Sequence, residues 1–281
     1  MGIVVGIDIG GSTTKIAGFQ GKDMLIPVQI SASNAIASLF GAFGKFLYDN
    51  KLALEDIQQV NLTGVGCSAV DQAIYGLPTY RVDEFTANGV GGGYFAQGKK
   101  EFMVVSMGTG TSFVGVKDGI PTHLGGIGIG GGTIIGLSKL MLNTSDIDKI
   151  QELALGGQVG HIDLRVGDIS EKPLPGLNLE VTASNFGKAS SRASCEDKAA
   201  GIVHMVIESI CQTAALISQG TNMKDFILIG ALTNFPECEA VCGMIKTLFP
   251  DLNFYVPKDG EYGTAIGTAL AAKCCLKHIA G

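Results

Sequence analysis

A chain of 281 residues, 46% of them hydrophobic, can bury one large core or two of ordinary size. The formal net charge of −6 and the lack of any Lys/Arg run argue against nucleic acid or an anionic membrane as the main partner, and leave a small-molecule ligand. Gly, at 41 residues, clusters beside apolar strands instead of forming a repeat, so the glycines read as backbone corners.

In chain order, the first third predicts strands over 3–9, 13–20 and 24–30, then an amphipathic helix from about Ser33 to Tyr48 with Ser33 able to cap it. A strand near 60–63, a short helix over 68–75, a short strand over 79–82 and a helix starting at Asp83 or Glu84 follow. From Phe102 the grammar repeats: "MVVSMGTGTSFVGV" (103–116) matches "IVVGIDIGGSTTKIAG" (3–18) as apolar strand, Gly/Thr/Ser corner and second strand, with a turn at 117–119 into a third. This weak duplication predicts two lobes, 1–100 and 101–281. A helix over 132–142 comes next, then a less regular section to about 195 in which Pro173 and Pro175 mark a loop. The chain closes with a long helix over 196–219, strand 226–229, helix 236–248, strand 254–256 and a last helix over 263–276. On the long helix Ile202, Val203, Val206, Ile207, Ile210, Ala214 and Ile217 share one face, for a core or a dimer contact. Alternation of this kind is an α/β pattern with mixed sheets flanked by helices.

The N-terminal segment has no basic region, and its apolar run stops at Asp8, so it reads as neither a signal peptide nor a span. Seven cysteines without zinc-type spacing to the four histidines predict reduced thiols in a cytoplasmic protein.

Three glycine/hydroxyl corners carry the chemistry. In "IDIGGSTTK" the glycines let backbone N–H groups approach an anion, and the Ser12, Thr13 and Thr14 hydroxyls can donate to phosphate oxygens. Asp8 would repel phosphate, so its natural role there is to hold Mg²⁺; the competing reading is a plain hairpin turn that Asp8 caps. The spacing from Gly6 to Ser12 resembles a P-loop but lacks its lysine, and a strand follows where a helix belongs. Gly126, Gly128 and Gly131 fit G-x-G-x-x-G, yet the strand before them reads as the return arm of a hairpin and not as part of a βαβ unit. "GGIGIGGGTIIGL" is better read as a helix N-terminus whose free N–H groups and dipole favour an anion. With "SMGTGTS" between them, the three corners describe a nucleotide clamp for phosphoryl transfer.

The Asp-x-Gly-Gly-Ser hairpin, the Gly-Thr-Gly-Thr hairpin and the "LIG" strand end at Gly230 resemble the phosphate-1, phosphate-2 and adenosine motifs of the actin-like ATPase superfamily. Within it, "GTGTS" (108–112), "GGIGIGGGTIIGL" (125–137) and "TASNFGK" (182–188) are similar to type II pantothenate kinases, over about residues 3–270. The resemblance implies a two-lobed, actin-like (ribonuclease H-like) fold. It also implies a homodimeric kinase that uses ATP and Mg²⁺ to phosphorylate the primary hydroxyl of pantothenate, the first step towards coenzyme A. Carried over residue by residue, it makes Glu84 in "RVDEFTANG" the general base, with Asp83 as a neighbour that could be confused with it. It places Asp8, Gly10, Gly11, Ser12, Thr13, Lys15, Gly108, Thr109, Gly110, Gly131, Gly132, Thr133, Ile134, Ile135 and Gly230 at the nucleotide. His123, Gly125 and Gly126 fall at the substrate. Members tend to carry an arginine where this chain has His123, and a serine where it has Ala231. A shorter side chain, mostly neutral at pH 7, holds an anion more weakly, so a different hydroxyl acceptor is the alternative. A nucleotide-binding activator without an acceptor is the second.

Overall fold

A computed structural model describes residues 2–31, 34–170, 172 and 178–279. Strands β1 (Ile3–Ile9) and β2 (Thr13–Gln20) form an antiparallel hairpin. The third strand, expected unbroken, is two: β3 (Asp23–Met24) and β4 (Val28–Ser31) both pair with β2. Leu25, Ile26 and Pro27 stand opposite only two β2 residues, and Pro27 has no N–H to give the ladder. Helix α1 (Ala35–Asp49) buries Leu39, Ala42, Phe43 and Phe46 at helical spacing, and the Asn34 side chain accepts from the Ala37 N–H at its start. Ser33, the expected cap, lies outside the described residues.

Strand β5 (Ile57–Thr63) runs parallel to β1, and β6 (Thr79–Arg81) parallel to β5. Between them the expected helix over 68–75 is two 3₁₀ turns, Val65–Ala69 and Ile74–Gly76. The segment is bounded by Gly64 and Gly76, both at positive φ, and is too short to pass the costly nucleation step of a helix. Helix α2 (Glu84–Phe95) starts on the Asp83 side chain, which accepts from the Thr86 N–H.

The second sheet repeats the plan. Strands β7 (Glu101–Met107), β8 (Thr111–Lys117) and β9 (Ile120–Ile127) form an antiparallel meander, so β9 is a hairpin arm and cannot feed a dinucleotide fold. Helix α3 (Gly131–Leu142) follows. The section expected to be irregular holds α4 (Ile147–Gly156), β10 (Leu164–Arg165), the single turn α5 (Val166–Ile169) and β11 (Thr182–Ser184). Only Ile150 of α4 is fully buried, so its apolar signal was slight. Pro173 and Pro175 lie outside the described residues. Helix α6 (Cys195–Thr221), strand β12 (Asp225–Ile229), helix α7 (Glu237–Leu248) and strand β13 (Asn253–Tyr255) complete the lobe. Helix α8 (Gly263–Leu270) ends six residues before the expected Leu276, because the chain turns at Lys273–Cys275 into β14 (Lys277–His278). There the Ile279 N–H donates to the Thr79 carbonyl, and edge pairing with β6 replaces the last helical turns.

The sheet orders are β14-β6-β5-β1-β2 with β3 and β4 on the far edge, and β13-β12-β7-β8-β9. In each, a parallel partner flanks the first strand of a hairpin. The apolar face of α6 is core: Ile202, Val203, Val206, Ile207 and Ile210 are at most 1% exposed against β7, β8 and β12. Each contributes roughly 1.5–3 kcal/mol by burial. Helix α6 is long and apolar enough to cross a membrane by composition alone, but most of it is buried in this lobe.

Helices α2 and α8 join the lobes by direct backbone contact. A Cβ on Gly267 would lie 1.8 Å from the Ala87 carbonyl oxygen, and one on Gly91 2.0 Å from that of Gly263. The α2 side faces the second sheet through Phe85, Phe95 and Ala96, while α8 covers β1 and β2 through Ala265, Ile266 and Ala269. Buried Asn88 ties the junction, accepting from the Thr264 hydroxyl at 2.8 Å.

Candidate active site

The C-terminal ends of the parallel strands β1, β5 and β6 place three groups in a row. Asp8, one residue short of the β1 end, pairs in register with Thr63; the Thr63 hydroxyl donates to the Val82 carbonyl at 3.0 Å; Glu84 opens α2 two residues on. Open α/β sheets bind ligands at this edge. Gly64, at φ +88°, clears the space beside Asp8: a Cβ there would sit 2.5 Å from the Asp8 Oδ1. Among the described residues nothing donates a hydrogen bond to the Asp8 carboxylate. Burial pushes its pKa up, and Lys15 opposes that shift only partly.

Lys15, across the ladder from Asp8, is 5% exposed where the sequence alone favours a solvated lysine. Burial pulls its pKa down, against the pull of Asp8 and Glu261. Its ammonium makes no hydrogen bond or ion pair among the described residues. A buried cation beside a half-buried carboxylate, both without a hydrogen-bond partner among the described residues, suits a ligand that brings phosphate and a metal ion together.

The glycine corners meet. The Ser12 and Thr109 hydroxyls are 3.4 Å apart, so the tips of the β1–β2 and β7–β8 hairpins touch across the lobes. Gly10 closes the first turn with its N–H on the Thr13 carbonyl at 3.0 Å. The N–H groups of Gly11, Ser12, Thr109 and Gly110 have no acceptor among the described residues, and these are donors an anion could take.

The third corner differs from expectation. The Gly131 N–H donates to the Gly108 carbonyl and the Gly132 N–H to that of Thr109, at 2.8 and 2.9 Å, while the Thr133 N–H donates to Gly130. The first two donors of α3 are therefore spent on the second corner, and the helix acts as its brace. Ile134, expected at the nucleotide, is fully buried in the second-lobe core, so its side chain faces away; Ile135 is only partly covered. Gly230, at φ +100°, lies behind the second corner, where a Cβ would meet the Met107 carbonyl oxygen at 2.4 Å.

On β9 a bulge at Leu124 puts His123 opposite Val114 and Gly125 opposite Phe113, with Gly125 at φ +144°. The His123 ring stacks on Phe85, 3.8 Å between centroids and 16° from parallel, which places it beside Glu84. Gly126 packs tightly, its absent Cβ 3.0 Å from the Thr111 carbonyl oxygen. Glu84 faces solvent on one side, while burial first, then the charges of Asp8 and Asp83, push its carboxyl above the ordinary range. A raised carboxyl within the field of Asp8 suits a proton acceptor at a phosphoryl-transfer edge.

Sequence reasoning missed Gly64, Phe85 and Asn88. Phe85 could have been found, since it adjoins Glu84 in "DEF"; the other two are visible only through contacts distant in sequence. "TASNFGK" does not line the corners. Its Asn185 amide donates to Glu208 of α6 at 2.9 Å and the Phe186 N–H to Asp163, just before β10, at 2.7 Å, which fastens this segment from two sides. A concavity of about 370 Å³ lined by Glu239, Cys242, Lys246 and Tyr255 lies at the outer edge of the second sheet and holds none of the corner residues.

The Fumble family profile matches residues 79–242. The type II pantothenate kinase of Bacillus cereus (strain G9842) is 30% identical, over 95% of this chain and 98% of that protein. That of Staphylococcus haemolyticus is 28% identical, over 94% and 97%. Among solved structures, the activator of the 2-hydroxyisocaproyl-CoA dehydratase from Clostridium difficile, with bound ADPNP, superposes with TM-score 0.69 at 17% identity, over 95% of this chain and 93% of that one. A ROK family glucokinase from Streptomyces griseus, in complex with glucose and AMPPNP, gives 0.56 at 14%, over 97% and 100%. These structures share the two-lobed actin-like fold.

Proposed function

Because the chain belongs to the Fumble family, with the type II pantothenate kinases, we propose that it transfers the γ-phosphoryl group of ATP to the primary hydroxyl of pantothenate. The observation that carries this reading is the strand-end row of Asp8, Thr63 and Glu84, beside two glycine corners whose tips touch. The free N–H groups of Gly11, Ser12, Thr109 and Gly110 hold the phosphates, with Lys15 adding positive charge from below. Glu84 orients the acceptor hydroxyl and takes its proton as the oxygen attacks phosphorus. Phe85 and His123 form the wall against which the acceptor lies.

Mg²⁺ fits at Asp8, a half-buried carboxylate with no donor among the described residues, since this ion is held by one or two carboxylates plus substrate phosphates; bound there it would neutralise charge on the transferring group. The lobes divide near residue 100, with α8 and β14 returning to the first sheet, and close about the α2–α8 contact, which excludes water. We place the protein in the cytoplasm, where its seven free thiols stay reduced, and as a homodimer, supported by Leu140, 84% exposed on α3.

Purified protein with ATP, Mg²⁺ and pantothenate should yield phosphopantothenate by mass spectrometry. Product from another polyol or hydroxy acid, and none from pantothenate, would favour the second reading, a different hydroxyl acceptor, which rests on His123. Nucleotide binding with no turnover on any acceptor would leave an activator.

A further inference from the structure

Cys274 and Cys275 are adjacent in sequence, and their sulfurs lie 3.9 Å apart on the turn between α8 and β14. Cys274 is exposed and Cys275 partly so. Of the other thiols, Cys195 is exposed but alone at the start of α6, and Cys67 is buried; Cys211 and Cys238 lie within hydrogen-bond reach of Cys242, but all three are at most 7% exposed, so a reagent reaches them less readily.

The spacing decides which chemistry suits the pair. A disulfide needs sulfurs about 2.05 Å apart, so direct oxidation must close the gap by nearly half and distort the turn. Two bonds of about 2.3 Å from one pyramidal soft atom, at roughly 95–100°, hold sulfurs about 3.4–3.5 Å apart, which a small side-chain rotation reaches from the spacing already present. The turn is held by the Cys275 N–H on the Ala272 carbonyl and the Leu276 N–H on that of Lys273, so the pair is presented on a fixed backbone.

We propose that Cys274 and Cys275 form a dithiol site that takes a single thiophilic centre with two open positions, such as a monosubstituted trivalent arsenical. With phenylarsine oxide, two S–H bonds break and two S–As bonds form. The oxide oxygen leaves with both protons as water, and arsenic remains trivalent, so no oxidant is needed. Burial and the neighbouring Cys274 hold the Cys275 thiol above its ordinary range, so the proton departs as the bond to arsenic forms.

The test uses the full chain with phenylarsine oxide. Intact-mass and peptide analysis should show one adduct per chain, on 274–275, that survives excess monothiol and is removed by a dithiol. Cys274→Ser and Cys275→Ser should each leave only a monothiol-labile adduct. Hydrogen exchange at the Ile279 N–H, which bonds to Thr79, should be unchanged or slower in the adduct. An adduct that persists when Cys274→Ser and Cys275→Ser are combined, or that maps to the buried cysteines, overturns the site. Exchange at Ile279 faster by about tenfold or more would mean the turn must be pried open, and would overturn the preformed geometry.

Discussion

Asp8 and Lys15 are direct cross-strand partners on the β1–β2 ladder, Lys15 buried and Asp8 half-buried, yet no ion pair joins them among the described residues. Burial dominates both: it raises the carboxyl and lowers the ammonium, so each charge costs stability in the free protein. A carboxyl with a raised folded pKa gives stability below the ordinary value of about 3.9 and loses it as pH rises through the folded value. The double variant Asp8→Asn, Lys15→Met should therefore be inactive and yet about 1–4 kcal/mol more stable near pH 7 by thermal or urea unfolding. Lower stability would show that the two charges support each other in the fold.

Glu84→Gln should lower kcat about 10²–10⁴-fold and leave affinity for a non-hydrolysable nucleotide unchanged by calorimetry. As a base, Glu84 must be ionised, so kcat/KM should fall as pH drops through a value above the usual glutamate near 4.3. Asp83→Asn removes one of the charges that raise it, and should move that acidic limb to lower pH.

The His123–Phe85 stack predicts a split between binding and chemistry. Phe85→Ala should raise KM for the acceptor about tenfold, the loss of roughly 1.4 kcal/mol of wall contact, with a smaller change in kcat. His123→Arg can keep the stack and supplies a lasting charge, so KM for an anionic acceptor should fall. A higher KM for pantothenate in that variant would count against an anion at this position.

Most strand positions were legible in the sequence, and so were the glycine corners, because hairpins with Gly/Thr/Ser tips are local patterns. Long-range contacts were not. The burial of Lys15 follows from its neighbours in space, and the braced start of α3 depends on the Gly108 and Thr109 carbonyls more than twenty residues upstream. Nothing near Leu276 signals that the last helix stops early, since the competing partner is Thr79 on β6.

At the α2–α8 crossing, Gly267→Ala should destabilise by about 1–3 kcal/mol or more, because the new methyl meets the Ala87 carbonyl and no side chain can move aside. Gly44→Ala, with open space at its Cβ and a helical backbone, is the control and should be neutral or slightly stabilising. Equal unfolding midpoints for the two would refute the close contact.

His204 on α6 bonds through Nδ1 to Glu237 of α7 at 2.7 Å and faces Glu208 and Asp163. Burial alone would lower its pKa, but the Glu237 bond and the three carboxylates outweigh it and raise it. That stabilisation is complete below the ordinary histidine value of about 6.5 and is lost as pH rises through the raised value. Melting temperature should fall across that window, and Glu237→Gln should flatten the fall while costing about 1–3 kcal/mol at pH 6.

The first sheet takes its β14 edge and its α8 cover from residues 263–279, on the far side of the whole second lobe. During synthesis at about 5–20 residues per second, the second lobe can fold while the N-terminal hairpin still lacks the helix that shields β1. The part of the protein made first is thus the last to be finished. Truncations or fusions at the C-terminus should expose nascent β1 and β2 to aggregation before they affect the stability of the second lobe.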